Sequence, residues 1–188
     1  MIWMMTAALA GAELPACAQS PDAEASASIA EMYESGKSDP DASSIKSHTK
    51  AVLKLHKKGL VCTAEDHYKA GAILMRSRDS DALQIAHELA KLAAHNQVDR
   101  GKWLANNTFD RWQISLGNVQ RFGTQMGNGG QCLYPIDESF PDENRVAWGA
   151  KPLAEIYAAF LELREVKGKP ATATTLNSLG LFCRQEPW

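Results

Sequence analysis

The chain predicts an all-α domain, and three observations carry that prediction. Apolar residues recur at helical spacing through most of the 188 residues, alanine is abundant, and runs of β-branched residues are absent. About 45% of residues are apolar and 22% are charged, the balance of an ordinary globular protein. The expected architecture is an antiparallel bundle of helical hairpins, with an irregular Gly- and Gln-rich loop packed on one end. The formal charge of −2 provides no basic field for nucleic acid.

The first residues, MIWMMTAALAGAELPACAQS, open with an apolar run from Ile2 to Ala12. The run is too short to span a bilayer but fits the apolar part of a signal peptide. Ala16-Cys17-Ala18 supplies a cleavage-like site, so residues 1–18 read as a signal peptide and the protein as exported, periplasmic or secreted. A lesser alternative uses Leu14-Pro15-Ala16-Cys17 as a lipobox with a lipid anchor on Cys17. Residues 19–44 then form a flexible lead-in containing a short helix, Ser28 to Ser35, closed by Gly36. Residues 45–188 form a single helical domain.

The helices follow in order. One runs from about Ile45 to Lys58, with Gly59 as the residue after its cap. Thr63-x-x-Asp66 is a near capping box that opens a second, ending about Met75. A third spans about Asp81 to His95, with acidic residues at its positive end. A fourth covers about Asp99 to Leu116 and stops at Gly117. A short helix is expected at Asn144 to Trp148 and a last one from Pro152 to Val166, with Pro at its first turn. The tail ATATTLNSLGLFCRQEPW shows no clear period.

Cleavage after Ala18 leaves three cysteines. Cys132 and Cys183 lie in loop-like segments and can pair, and Cys62 can equally be the partner. The absence of C-x-x-C argues against zinc fingers and thioredoxin-like chemistry. HELAK, from His87 to Lys91, fails the H-E-x-x-H metalloprotease pattern because Lys91 stands where the second ligand belongs. No metal or cofactor is expected.

Two side chains on neighbouring helices stand out. On a wheel of about 100° per residue, His87 falls at the border of an apolar arc formed by Leu83, Ala86, Ala90 and Ala94. Asp110 shares a side of its helix with Trp103 and Ile114, where an unpaired carboxylate is costly. Either Asp110 accepts backbone N–H groups from the 117–125 loop and fixes its shape, or it sits in a pocket. In the second case Asp110 and His87 are candidate acid/base residues of a hydrolase. The loop itself, GNVQRFGTQMGNGG, lacks the Lys of a phosphate-binding loop and follows a helix rather than a strand. Gln120, Thr124 and Gln125 are neutral donors and acceptors suited to a polar ligand such as a sugar, amide or peptide. Gly127-Asn128-Gly129-Gly130 reads as a flexible turn.

The stretch TFDRWQISLGNVQRFGTQ resembles the bacterial domain-of-unknown-function family 6624, whose members carry D-R, a spacer, then G-x-x-Q-x-Y-G-T-Q. Asp110-Arg111, Gly117, Gln120 and Gly123-Thr124-Gln125 match, and Phe122 replaces the usual Tyr. Downstream, YPIDESFPDENRVAWGAKPLAEIY is similar to the family's Pro-Ile-x-Asp…Arg…Gly-x-x-Pro-Leu-x-x-Tyr and supplies Asp137 and Arg145. The resemblance covers roughly residues 66–161. It implies a shared helical fold and no defined activity. It adds Arg111, Asp137 and Arg145 to the ligand-binding candidates Gln120, Thr124 and Gln125. The expected function is a binding or interaction module of the cell envelope for a polar small molecule, glycan or protein, with hydrolysis as the alternative and a purely structural motif as a third reading.

Overall fold

The structure, a computed structural model, describes Cys17, residues 21–38 and residues 41–184. Eight helices and one two-stranded hairpin make up the described chain. The helices are α1 (Ala23–Ser35), α2 (Ala42–Lys57), α3 (Ala64–Leu74), α4 (Ser80–His95), α5 (Gly101–Ser115), α6 (Asp142–Ala147), α7 (Leu153–Leu163) and α8 (Ala173–Ser178). The strands are β1 (Met126–Gly127) and β2 (Cys132–Leu133), paired antiparallel. The expected all-α class is what the chain adopts. Among the described residues, no helix is long and apolar enough to cross a membrane. The signal-peptide reading falls on residues that, apart from Cys17, lie outside the described ones.

The helix starts follow their caps. Thr63 and Asp66 form the reciprocal box that the sequence suggests, with Asp66 N–H donating to Thr63 Oγ1 at 3.0 Å and Thr63 N–H to Asp66 Oδ2 at 3.2 Å. Ser26 Oγ donates to the same Asp66 Oδ2 at 2.8 Å, which ties α1 to the start of α3. Asp22, Asp41 and Asp79 cap α1, α2 and α4.

Helix α1 corrects the expected flexible lead-in. It begins five residues before Ser28 and buries Ala25, Ile29 and Met32. Alanine and serine at AEASAS read as a linker by composition, yet Asp22 supplies the cap and Ile29 the anchor. Ile29 meets Val52 of α2, Ile73 and Leu74 of α3 and Leu89 of α4 in one core cluster. Burial of this kind stabilises by roughly 1.5–3 kcal/mol per large apolar side chain.

Helices α3, α4 and α5 pack through small residues. Ala90, Ala93, Leu104 and Ala105 are fully or almost fully buried. Gly101 lets α5 approach α4: a Cβ there would lie 2.8 Å from Ala94 Cα and 3.0 Å from the Ala93 carbonyl carbon. A separate core gathers Leu133, Ile136, Ile156, Tyr157, Phe160 and Leu176 around α7 and α8.

The hairpin and α8 have no counterpart in the sequence reading. Asn128 and Gly129, both at positive φ, turn β1 into β2, so the expected turn joins two strands. Residues 181–183 run along β2, with Leu133 N–H donating to Leu181 O and Cys183 N–H to Leu133 O. The Cys132–Cys183 disulfide closes this arrangement, and a second disulfide joins Cys17 to Cys62. A cut after Ala18 would remove Cys17, and a lipid on Cys17 would occupy its sulfur.

Candidate functional site

Asp110 is 0% exposed, and its carboxylate is fully engaged by the loop that follows α5. Oδ1 accepts the N–H of Arg121 at 2.8 Å and of Phe122 at 3.0 Å. Oδ2 accepts the N–H of Thr124 at 3.0 Å and its hydroxyl at 2.8 Å. Burial pushes the carboxyl above the ordinary carboxylate range, while the N–H donors of Thr124, Phe122 and Arg121 pull it back down.

The rest of the motif serves the same loop. Gly117, at φ +77°, ends α5, and Asn118 N–H returns to Gln113 O at 2.9 Å. Gln120 is 0% exposed. Its Nε2 donates to Gln125 O at 3.0 Å and Tyr134 O at 2.7 Å, and its Oε1 accepts Gln125 N–H at 2.9 Å. Gly123 sits at φ +68° against α7, where a Cβ would meet Ile156 Cγ2 at 2.5 Å. Phe122 is buried between Phe109 and Phe140 in edge-on contacts.

Arg145, at the centre of α6, locks the loop from the other side and is 1% exposed. Its Nε donates to Arg121 O at 2.9 Å and its Nη2 to Asp137 O at 2.5 Å. Its Nη1 reaches Phe140 O at 2.5 Å and the Asp142 carboxylate at 2.9 Å. The side chain of Asp137 caps its own turn, accepting the N–H and hydroxyl of Ser139. Those hydrogen bonds, led by the Ser139 hydroxyl, hold the Asp137 carboxyl below its usual range.

His87 takes no part in this network. Its Nδ1 donates to Ala105 O at 3.1 Å, and its ring contacts Phe109 and Trp112. Burial, helped by Lys91, lowers its pKa to about 4. His87 and Asp110 share no hydrogen bond, and every strong acceptor position on Asp110 is occupied. The acid/base pairing expected as an alternative therefore lacks its geometry. Among the sequence candidates, Asp110, Gln120, Thr124 and Arg145 are drawn together, but as internal bracing of the loop.

Arg111 and Gln125 point elsewhere. With Arg76, Asn107, Lys37 and Met75 they line an open cleft of about 580 Å³ between the α1–α2 side and α5. Gln125 Nε2 donates to Asn107 Oδ1 at 3.3 Å and Thr124 Oγ1 at 3.0 Å, so the cleft wall is built on the braced loop. Burial lowers the Arg111 pKa, and the neighbouring charge of Arg78 lowers it further. Among the described residues, no carboxylate forms an ion pair with Arg76 or Arg78. Arg76 lies against the backbone of Gly36, where a Cβ would collide with its guanidinium.

Comparison with protein-family models, with curated proteins and with solved structures finds no match for this chain. The site therefore rests on its own geometry.

Sequence reasoning missed Arg76, Asn107 and Lys37 as cleft residues. Lys37 and Arg76 are cations just past the ends of α1 and α3, and Asn107 is an amide in the middle of α5. Nothing local says that those helix ends converge on α5.

Proposed function

We propose that the protein is an exported binding module, a member of the 6624-like group, whose cleft takes a polar ligand bearing an anionic group. One observation carries the reading: Arg76, which no carboxylate among the described residues pairs with, lines the same cleft as Arg111, Asn107 and Gln125. Guanidinium groups bind carboxylates through paired, charge-assisted hydrogen bonds, and amides supply neutral donors and acceptors for hydroxyls or peptide groups. An acidic glycan or a peptide with a free carboxylate has that chemistry. In this reading Asp110, Gln120, Thr124 and Arg145 shape the loop that presents Gln125, and none of them touches the ligand. Two disulfides support an oxidising compartment, with Cys17 retained in the mature chain.

The test is calorimetric titration of the full chain with matched pairs of probes: uronate-containing against neutral oligosaccharides, and free-acid against amidated peptides. Binding confined to an acidic member and lost in both Arg76→Gln and Arg111→Gln, with folding retained, supports the proposal. Binding that ignores both substitutions sinks it.

A further inference from the structure

A second groove lies on the opposite flank of the loop, between α5, residues 122–126 and α7. Its volume is about 450 Å³, within the range of small-molecule sites. Phe122, Ile156 and Phe160 form apolar walls. Trp103, Met126 and Leu163 stand on its rim with 45%, 46% and 57% of their surface exposed. Large apolar side chains gathered at one solvent-facing groove mark a binding surface more often than chance exposure.

Asn106 lines this groove and is 4% exposed. Its Nδ2 donates to Trp148 O at 3.0 Å, which fixes the orientation of the amide. Its Oδ1 is buried and has no hydrogen-bond partner. A buried acceptor left unpaired is unfavourable, so it marks a position where a donor would be gained. Asn106 follows Trp103 by three residues, so the two are neighbours on the surface of α5. The acceptor lies just beneath the groove surface, so a ligand reaches it only when a side chain of the rim moves aside.

We propose that this groove binds a small aromatic molecule carrying one N–H or O–H donor, with Asn106 Oδ1 as the acceptor. Aromatic walls favour an aromatic guest through edge-on and offset contacts. The single unpaired acceptor selects for a donor on that guest. The site is independent of the arginine cleft, because the two share no lining residue.

The experiment uses indole and 1-methylindole, which differ by one N–H. Each is titrated into the disulfide-intact full chain and followed by amide chemical shifts. The expected result is saturable binding of indole at residues around the groove, with 1-methylindole about tenfold weaker. Ala159→Trp, on the exposed side of the groove wall, should abolish indole binding without disturbing Asn106. Asn106→Leu should bind both probes alike if it folds. Equal affinity of the two probes for the natural chain overturns the proposal, as does a lack of binding. A concentration-dependent dimer that Ala159→Trp dissolves would assign the groove to a second copy of the chain instead.

Discussion

Asp110 and Arg145 hold the same residue by its two backbone groups. The carboxylate accepts the N–H of Arg121 at 2.8 Å, and the guanidinium donates to the carbonyl of Arg121 at 2.9 Å. One residue comes from α5 and the other from α6. Together they fasten an irregular loop whose other backbone ties run to residues 134–137 and to the Gln120 side chain. Asp110→Asn should lower stability by about 1–3 kcal/mol, because one acceptor becomes a donor facing buried N–H groups. Arg145→Met should cost at least as much. The double variant should cost less than the sum, since both side chains secure one segment. Urea unfolding of the three variants measures this.

Gly123 and Gly129 both sit at positive φ, yet their surroundings differ. Gly123 faces Ile156 at 2.5 Å from an added Cβ, while Gly129 has nothing within 4 Å. Gly129→Ala should cost about 1 kcal/mol, the strain of the left-handed backbone alone. Gly123→Ala adds a steric clash in the core and should cost about 2–4 kcal/mol. Equal effects would mean that the loop does not pack on α7.

Acid should destabilise the fold through His87. Its pKa falls from 6.5 to about 4 on folding, first because of burial and then because of Lys91. Between these values the unfolded chain binds more protons than the folded one. Stability therefore falls as pH drops through this window, by up to about 3 kcal/mol. His56 and His67 are also lowered by burial and act in the same direction. His87→Gln should flatten part of the slope of stability between pH 6.5 and 4, a slope that unfolding midpoints across that range would reveal.

The two disulfides close segments of 45 and 51 residues. On the chain-entropy argument, loops of this size correspond to about 4 kcal/mol of stabilisation each. Reduction should lower the unfolding midpoint sharply. Peptide mapping without reduction should recover Cys17 linked to Cys62 and Cys132 linked to Cys183. A free Cys62 in protein from the native compartment would contradict retention of Cys17.

Much of the helical scaffold is legible in local chemistry. Thr63 and Asp66 announce the start of α3, and Gly117 announces the end of α5, because caps and C-terminal glycines act within a few residues. Asp110 is legible as a carboxylate that needs partners, since its helix face is apolar. The identity of those partners is legible only as one of two readings. The side chain that completes the brace, Arg145, lies 24 residues beyond Arg121. The hairpin strands have two residues each, too short to show a period. The arginine cleft is assembled from the ends of α1 and α3 with the flank of α5, and no local pattern encodes that convergence. The pairing of Cys17 is hidden for a further reason: the sequence around it resembles a segment destined for removal.

Hydrogen exchange at the backbone amides of Arg121, Phe122 and Thr124 tests the structural role of Asp110 most directly. In the natural chain these amides should exchange only through global unfolding, as the most protected helix amides do. In Asp110→Asn they should exchange much faster, while the amides of α3 and α4 keep their protection relative to the variant's own global stability. Rapid exchange of the three amides in the natural chain would contradict the account and return Asp110 to the list of groups free to meet a ligand.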